Sequence, residues 1–250
     1  MVLYILKAYY GKIFFEFLTH KDKSDAVILL DGFPSSNKND ETMYFFYEKG
    51  FNVFFPRFKG SFQSEGKFLK TNPVHDLLFF IKELKKGEAT NLWDMSKVNF
   101  EIEKINVVGE SFSGAIACGL AACSEDISKI ILASPVLDYK KHNINGDEQD
   151  LDALTSFVKR AYKHLYRFNF NSLQKEINKF KEISPDFYLR LLNKPILLFH
   201  DPKDRTVSIK HSKTLFWNKK NCRIIETDTG HGFRRALEKY PDLIVDFLKE

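Results

Sequence analysis

The chain has 250 residues and a mass of 29.2 kDa, enough for one large domain or two small ones and for a core that needs no disulfides to hold it. Hydrophobic residues make up 44% and charged residues 28%, which excludes a disordered tail, a collagen-like fibre and a disulfide scaffold. With 38 basic and 33 acidic side chains the net charge is +5, a mildly basic surface and not the basic block of a nucleic-acid-binding protein.

Three cysteines, Cys118, Cys123 and Cys222, form no C-x-x-C and no paired framework, and so sparse a count suits a reducing compartment. The early apolar run is broken by Lys7 and Lys12 and lacks the basic n-region of a signal peptide. No stretch approaches the ~18 uncharged apolar residues of a membrane span. A cytoplasmic protein without stable membrane insertion is expected. Phe occurs 25 times, an excess read as coding bias.

Two aromatic and β-branched runs open the chain, Leu3–Tyr9 and Ile13–Leu18, with Gly11 between them; they predict a hairpin. Ala26–Leu30 is apolar at every position, the mark of a strand buried on both faces of a parallel sheet. A helix is expected over Glu41–Lys49, closed by Gly50, and a second buried strand over Asn52–Phe55, stopped by Pro56. A loop rich in Gly and Ser follows from Lys59 to Gly66. Pro73–Lys86 places Val74, Leu77, Leu78, Ile81 and Leu84 on one helical face, with His75 read as a capping residue at its start. Further on come a strand at Ile105–Val108, a small-residue turn at Gly109–Gly114, a helix at Ala115–Cys123 and a strand at Lys129–Ala133. Strands at Pro195–His200 and Cys222–Thr227 precede a closing helix over Arg234–Leu248. Alternation of strand and helix predicts an α/β fold, a mostly parallel doubly wound sheet with helices on both faces.

The long gap between the strands at 129–133 and 195–200 holds no convincing strand. Leu151, Leu154, Val158, Ala161 and Leu165 recur at helical spacing, as do Leu173, Ile177 and Phe180. Two or three inserted helices are expected, dividing the chain into a core of residues 1–138 and 194–250 and an insertion of residues 139–193.

The chemically informative stretch is Gly109-Glu110-Ser111-Phe112-Ser113-Gly114, between a buried strand and a helix. It has the form of a nucleophile elbow, G-x-S-x-G, in which a sharp strand-to-helix turn lifts a serine hydroxyl clear of the sheet. Residues two before and two after the serine must be small to avoid collision across the turn. The helix N-terminus behind the hydroxyl favours developing negative charge. The fifth position here is Ser113, the expected glycine arriving at Gly114. Ser111 is the preferred nucleophile because Gly109 suits the tightest position. Ser113, flanked by the small Ser111 and Ala115, is the alternative.

A serine needs a base and the base an orienting carboxylate, found in such folds at the C-terminal ends of later strands. The strand at 195–200 runs into His200-Asp201-Pro202-Lys203-Asp204, and that at 222–227 into Asp228-Thr229-Gly230-His231-Gly232. His231, free to reach inward between two glycines, is the candidate base. Asp204, at the loop apex, is preferred as the acid over Asp201 and Asp138. The order Ser, Asp, His is the one that accompanies this elbow. An oxyanion hole needs two backbone N–H groups. One is assigned to Phe112, after the nucleophile, and the other to Phe33, since Gly32 allows the bend and Pro34 has no N–H to give. The scattered histidines include no H-E-x-x-H, and neither metal nor organic cofactor is expected.

With these residues in place, the chain resembles the α/β-hydrolase superfamily, in particular its serine esterase, serine aminopeptidase and acylaminoacyl-peptidase-like members. The likeness extends to Phe55-Pro56-Arg57 through Gly66, similar to their arginine-and-glycine loop, and covers nearly all of the chain outside the insertion, which resembles their helical lid. Those members often carry His-Gly where this chain has Asp31-Gly32, and an Asp31 carboxylate turned inward would repel an oxyanion. The resemblance implies a serine hydrolase acting on a carboxylic ester or thioester through an acyl-enzyme on Ser111. The alternatives are a peptidase or acyltransferase using the same triad, acting on a small acyl ester, thioester or short peptide, and a non-catalytic binding protein of the same fold. No nucleic-acid partner is implied.

Overall fold

The computed structural model describes residues 4–36, 38–138, 148–169, 175–176, 179–180, 183, 185–188, 191–216 and 218–250. Ten strands follow in chain order among them: β1 (Leu6–Tyr10), β2 (Ile13–Leu18), β3 (Ser24–Leu30), β4 (Asn52–Pro56), β5 (Glu88–Thr90), β6 (Lys97–Asn99), β7 (Ile102–Glu110), β8 (Ile127–Ala133), β9 (Ile196–His200) and β10 (Cys222–Glu226). Eight of them form one sheet in the order β1-β2-β4-β3-β7-β8-β9-β10. The β1–β2 hairpin is antiparallel and meets β4 antiparallel, whereas every pairing from β4 to β10 is parallel. The parallel strands therefore send their C-terminal ends to one edge, where the elbow and the 201–204 and 228–232 loops all emerge.

The helices flank this sheet: α1 (Asp40–Glu48), α2 (Pro73–Leu84), α3 (Ser113–Cys123), α4 (Leu151–Ala161), α5 (Pro185–Tyr188), α6 (Ile209–Phe216), α7 (Phe233–Lys239) and α8 (Pro241–Lys249). Two apolar clusters, one containing α2 and α3 residues and the other residues of α1, α7 and α8, sandwich the sheet, since alternate residues of β3, β7 and β8 enter one cluster or the other. Strands covered on both faces must be apolar at every position, which is why β3, β4 and β9 read as continuous runs. The phenylalanines occupy much of this interior: Phe15, Phe17, Phe54 and Phe80 lie fully buried and pack ring against ring.

Asn72 is the N-cap of α2, its side chain accepting a 2.9 Å hydrogen bond from the Val74 N–H, with Pro73 in the first turn. His75 is the third residue of the helix. The closing helix is two helices, because Pro241 has no N–H to continue α7 and instead begins α8. The β5–β6 hairpin, which Leu92 ties to the edge strand β1 by an N–H bond to the Lys7 carbonyl at 2.8 Å, and α6 were not expected. In the segment between β8 and β9, the repeat from Leu151 to Ala161 forms α4. Of the second repeat, Leu173 and Ile177 lie outside the described residues. No helix among the described residues is long and apolar enough to cross a membrane.

Candidate active site

The turn between β7 and α3 holds Ser111 at φ +48°, a left-handed conformation that a non-glycine residue adopts at a cost. The turn is fixed on both sides. The Ser111 N–H donates to the Ala133 carbonyl at 3.0 Å, and the Ser111 carbonyl accepts from Val136 at 2.9 Å and Gly114 at 3.1 Å. Gly109 is required by space. A Cβ there would lie 2.8 Å from both the Ala117 methyl and the Ser113 carbonyl oxygen.

Ser113 has a different task. Its buried hydroxyl donates toward the Leu30 carbonyl at 2.8 Å and accepts from the Glu110 N–H at 2.9 Å. It knits the turn to β3 and is already committed to those partners. Gly114 serves packing, since a Cβ there would fall 2.3 Å from the Pro135 side chain. The displaced glycine of the motif thus belongs to the contact between α3 and the loop after β8.

The His231 Nδ1 lies 2.8 Å from Asp204 Oδ2. An ionised carboxylate only accepts, so Nδ1 carries a proton and donates to Asp204. Asp204 Oδ1 accepts from the N–H groups of Thr206 and Val207 at 2.8 and 3.1 Å. Burial opposes ionisation of Asp204, but the bond and charge of His231, with bonds from Ser134 and Val207, outweigh it and hold the carboxyl at about 2. Asp201 is bound elsewhere: Oδ1 accepts from Lys203 N–H and Oδ2 from Gly230 N–H, both at 2.7 Å. It fastens the acid loop to the histidine loop. Asp138, buried, ends the described stretch after β8.

Behind the acid, His200 is buried at the end of β9. Its Nε2 lies 2.9 Å from the Val207 carbonyl and its Nδ1 2.8 Å from Ser212 Oγ on α6. Burial lowers its pKa, keeping it neutral, with Nε2–H as donor and Nδ1 as acceptor. The sequence presents His200 only as the residue beside Asp201; its role in bracing the acid loop depends on α6, which periodicity did not reveal.

The two residues assigned to the oxyanion hole come together. The rings of Phe33 and Phe112 stand 5.7 Å apart, within an aromatic cluster that also contains Phe58, Phe68, Tyr166 and Phe168. The Asp31 carboxylate is occupied by the Ser35 hydroxyl and by Asn39 Nδ2, the latter at 2.6 Å. Burial raises its pKa to about 6 despite those bonds, with the Glu110 charge adding to the rise. Tyr166, from the segment between β8 and β9, accepts a 3.1 Å hydrogen bond from the Ser35 N–H. Its neighbours Leu165 and Arg167 pair by backbone hydrogen bonds with Phe62, Gly60 and Phe68. Of the apolar residues Phe157, Tyr162, Leu165 and Phe168, the last packs on Phe33, whereas Phe157 and Leu165 are exposed. Among the described residues there is no cluster of three or more His, Cys, Asp and Glu able to hold a metal.

The strand order, crossovers and elbow define the chain as an α/β-hydrolase fold. No protein-family model and no curated protein matches it. Solved structures do. Est1E from Butyrivibrio proteoclasticus, with ferulic acid bound, superposes with a TM-score of 0.70 at 18% identity over 98% of each chain. The Pyrococcus furiosus esterase Pf2001 gives 0.67 at 19% identity, over 98% of this chain and 89% of that one. The acylaminoacyl peptidase of Pyrococcus horikoshii gives 0.65 at 16% identity, this chain spanning 40% of it. At these identities the likeness is one of fold.

Proposed function

We propose that the protein is a serine hydrolase of carboxylic esters or thioesters, with Ser111 as nucleophile, His231 as base and Asp204 as orienting acid. One observation carries the reading: a buried, ionised Asp204 accepts from Nδ1 of His231, and Ser111 is held in a strained turn at the same sheet edge. Nε2 of His231 takes the Ser111 proton as Oγ attacks the acyl carbon. The tetrahedral oxygen is received by the N–H groups of Phe33 and Phe112. The intermediate collapses as His231 protonates the leaving alcohol or thiol, and water then releases the acid by the reverse use of the same base. Esterases and an acylaminoacyl peptidase share this fold and accommodate either acyl substrate, and no cofactor enters these steps.

Asp31 and Ser113, where the chain departs from the usual His-Gly and G-x-S-x-G, have structural duties. Asp31 is held by Ser35 and Asn39, and Ser113 fastens the elbow to β3. Residues 139–193 act as the lid over a core of residues 1–138 and 194–250, with Tyr166 and Phe168 as an aromatic wall above Phe33.

The test is a panel of p-nitrophenyl esters, thioesters and aminoacyl amides. The wild-type protein hydrolyses at least one ester or thioester, Ser111→Ala reduces the rate by several orders of magnitude, and Ser113→Ala retains it. Cleavage of the amides alone establishes the peptidase reading. Loss of hydrolysis in Ser113→Ala with retention in Ser111→Ala overturns the nucleophile assignment.

A further inference from the structure

Glu110 occupies the variable position just before Ser111, where the elbow motif sets no chemical requirement. Its carboxylate nonetheless bonds two separate loops. Oε2 accepts from the Phe233 N–H at 2.8 Å, and Oε1 from the Gly32 N–H at a longer 3.4 Å. Gly32 immediately precedes Phe33, the assigned oxyanion donor. Phe233 follows His231 by two residues and opens α7. Both loops present glycine to the carboxylate. A Cβ on Gly32 would stand 3.3 Å from Ser111 Cβ, and Gly232 sits at φ +104°, with its Cβ direction 3.5 Å from Glu110 Oε2.

We infer that Glu110 is a positioning residue that clamps the oxyanion loop and the histidine loop to each other behind Ser111. The inference rests on the proposed hydrolase reading for its catalytic consequence, but the clamp itself is a statement about two loops. The register of Phe33 N–H and of the His231 imidazole against the serine hydroxyl is set from one side chain anchored at the end of the rigid central strand. Charge suits the task as well as reach. A carboxylate offers two acceptors to two donors, and bonds to an ionised acceptor are the stronger kind. An amide in its place has one acceptor and turns its NH₂ toward the other N–H. Small displacements of a base or an oxyanion donor are costly to rate, and the loss falls on the chemical step more than on substrate binding.

Two measurements test this on Glu110→Gln and Glu110→Ala. In amide hydrogen exchange, peptides spanning 30–36 and 229–235 gain exchange together, more in Glu110→Ala than in Glu110→Gln, with the rest of the sheet unchanged. This readout is independent of activity. In ester hydrolysis per active site titrated with a fluorophosphonate, kcat falls about 10-fold or more in Glu110→Ala, less in Glu110→Gln, while KM stays within about threefold. A merely structural role lowers the titratable fraction without lowering kcat per titrated site, and that outcome overturns the proposal, as does unchanged exchange at both loops. A wild-type protein that neither hydrolyses nor is labelled refutes the hydrolase reading alone, and the exchange data still decide the clamp.

Discussion

Asp201 and Asp204 stand three residues apart on one loop, chemically alike, and their hydrogen bonds separate them. Asp204 touches the imidazole and two N–H groups of its own turn; Asp201 touches backbone alone. Asp204→Asn removes the acceptor that fixes the His231 tautomer, and kcat is expected to fall by about 10⁴-fold, as the same exchange does in another serine triad. Asp201→Asn keeps an acceptor for Gly230 and lowers kcat less than about tenfold, the register of the loop being retained. The pH sign follows from the depressed value. A carboxyl at about 2 in the fold, against 3.8 ordinarily, contributes stability present above the ordinary value and lost as pH falls through about 2. Acid unfolding of Asp204→Asn is therefore flatter across that window. Equal losses of kcat in the two variants would remove Asp204 from its role.

At the level of elements, the junction of β7 with α3 explains the irregular motif. G-x-S-x-S-G conflates two requirements that the fold keeps apart. The elbow needs small residues at 109 and 113, and Ser113 meets that need with a hydroxyl satisfied by Leu30 and Glu110. The helix needs a glycine at 114 to pass Pro135. Gly114→Ala places a methyl into Pro135 and is expected to destabilise the protein by about 1–3 kcal/mol, a fall in Tm of roughly 2–12 °C at this chain length. A Tm unchanged within error would show that the Pro135 loop yields freely and that the glycine belongs to the elbow after all. Secondary structure was legible wherever burial imposed a period. Continuous apolar runs marked β3, β4 and β9, and the Val74-Leu77-Ile81-Leu84 face marked α2. It was illegible where tertiary contact overrides local preference. The polar α6 buries His211, Ser212 and Phe216 with Leu215 half-buried beside them, and β5–β6 are two three-residue strands, too short to display alternation.

Across the whole molecule, the site is an assembly of segments distant in sequence. The loops after β3, β7, β9 and β10, and Tyr166 from beyond β8, converge because the parallel strands share one C-terminal edge. The pairing of His231 with Asp204 was legible because each residue follows a recognisable strand and the proposed chemistry asks for those side chains. The Glu110 bridge and the His200 brace were not, since a carboxylate or imidazole gains its partner only when the strands are set side by side. Tyr166 was hidden in the same way: nothing in its local sequence points to Ser35, 131 residues away. In the proposed hydrolase this convergence activates one hydroxyl. That is tested most directly by treating the protein with a fluorophosphonate and locating the adduct by peptide mass mapping. A single phosphonylated residue, Ser111, is expected, with labelling abolished in His231→Ala. An adduct on Ser113, or labelling of Ser111 that proceeds unchanged without His231, would contradict it.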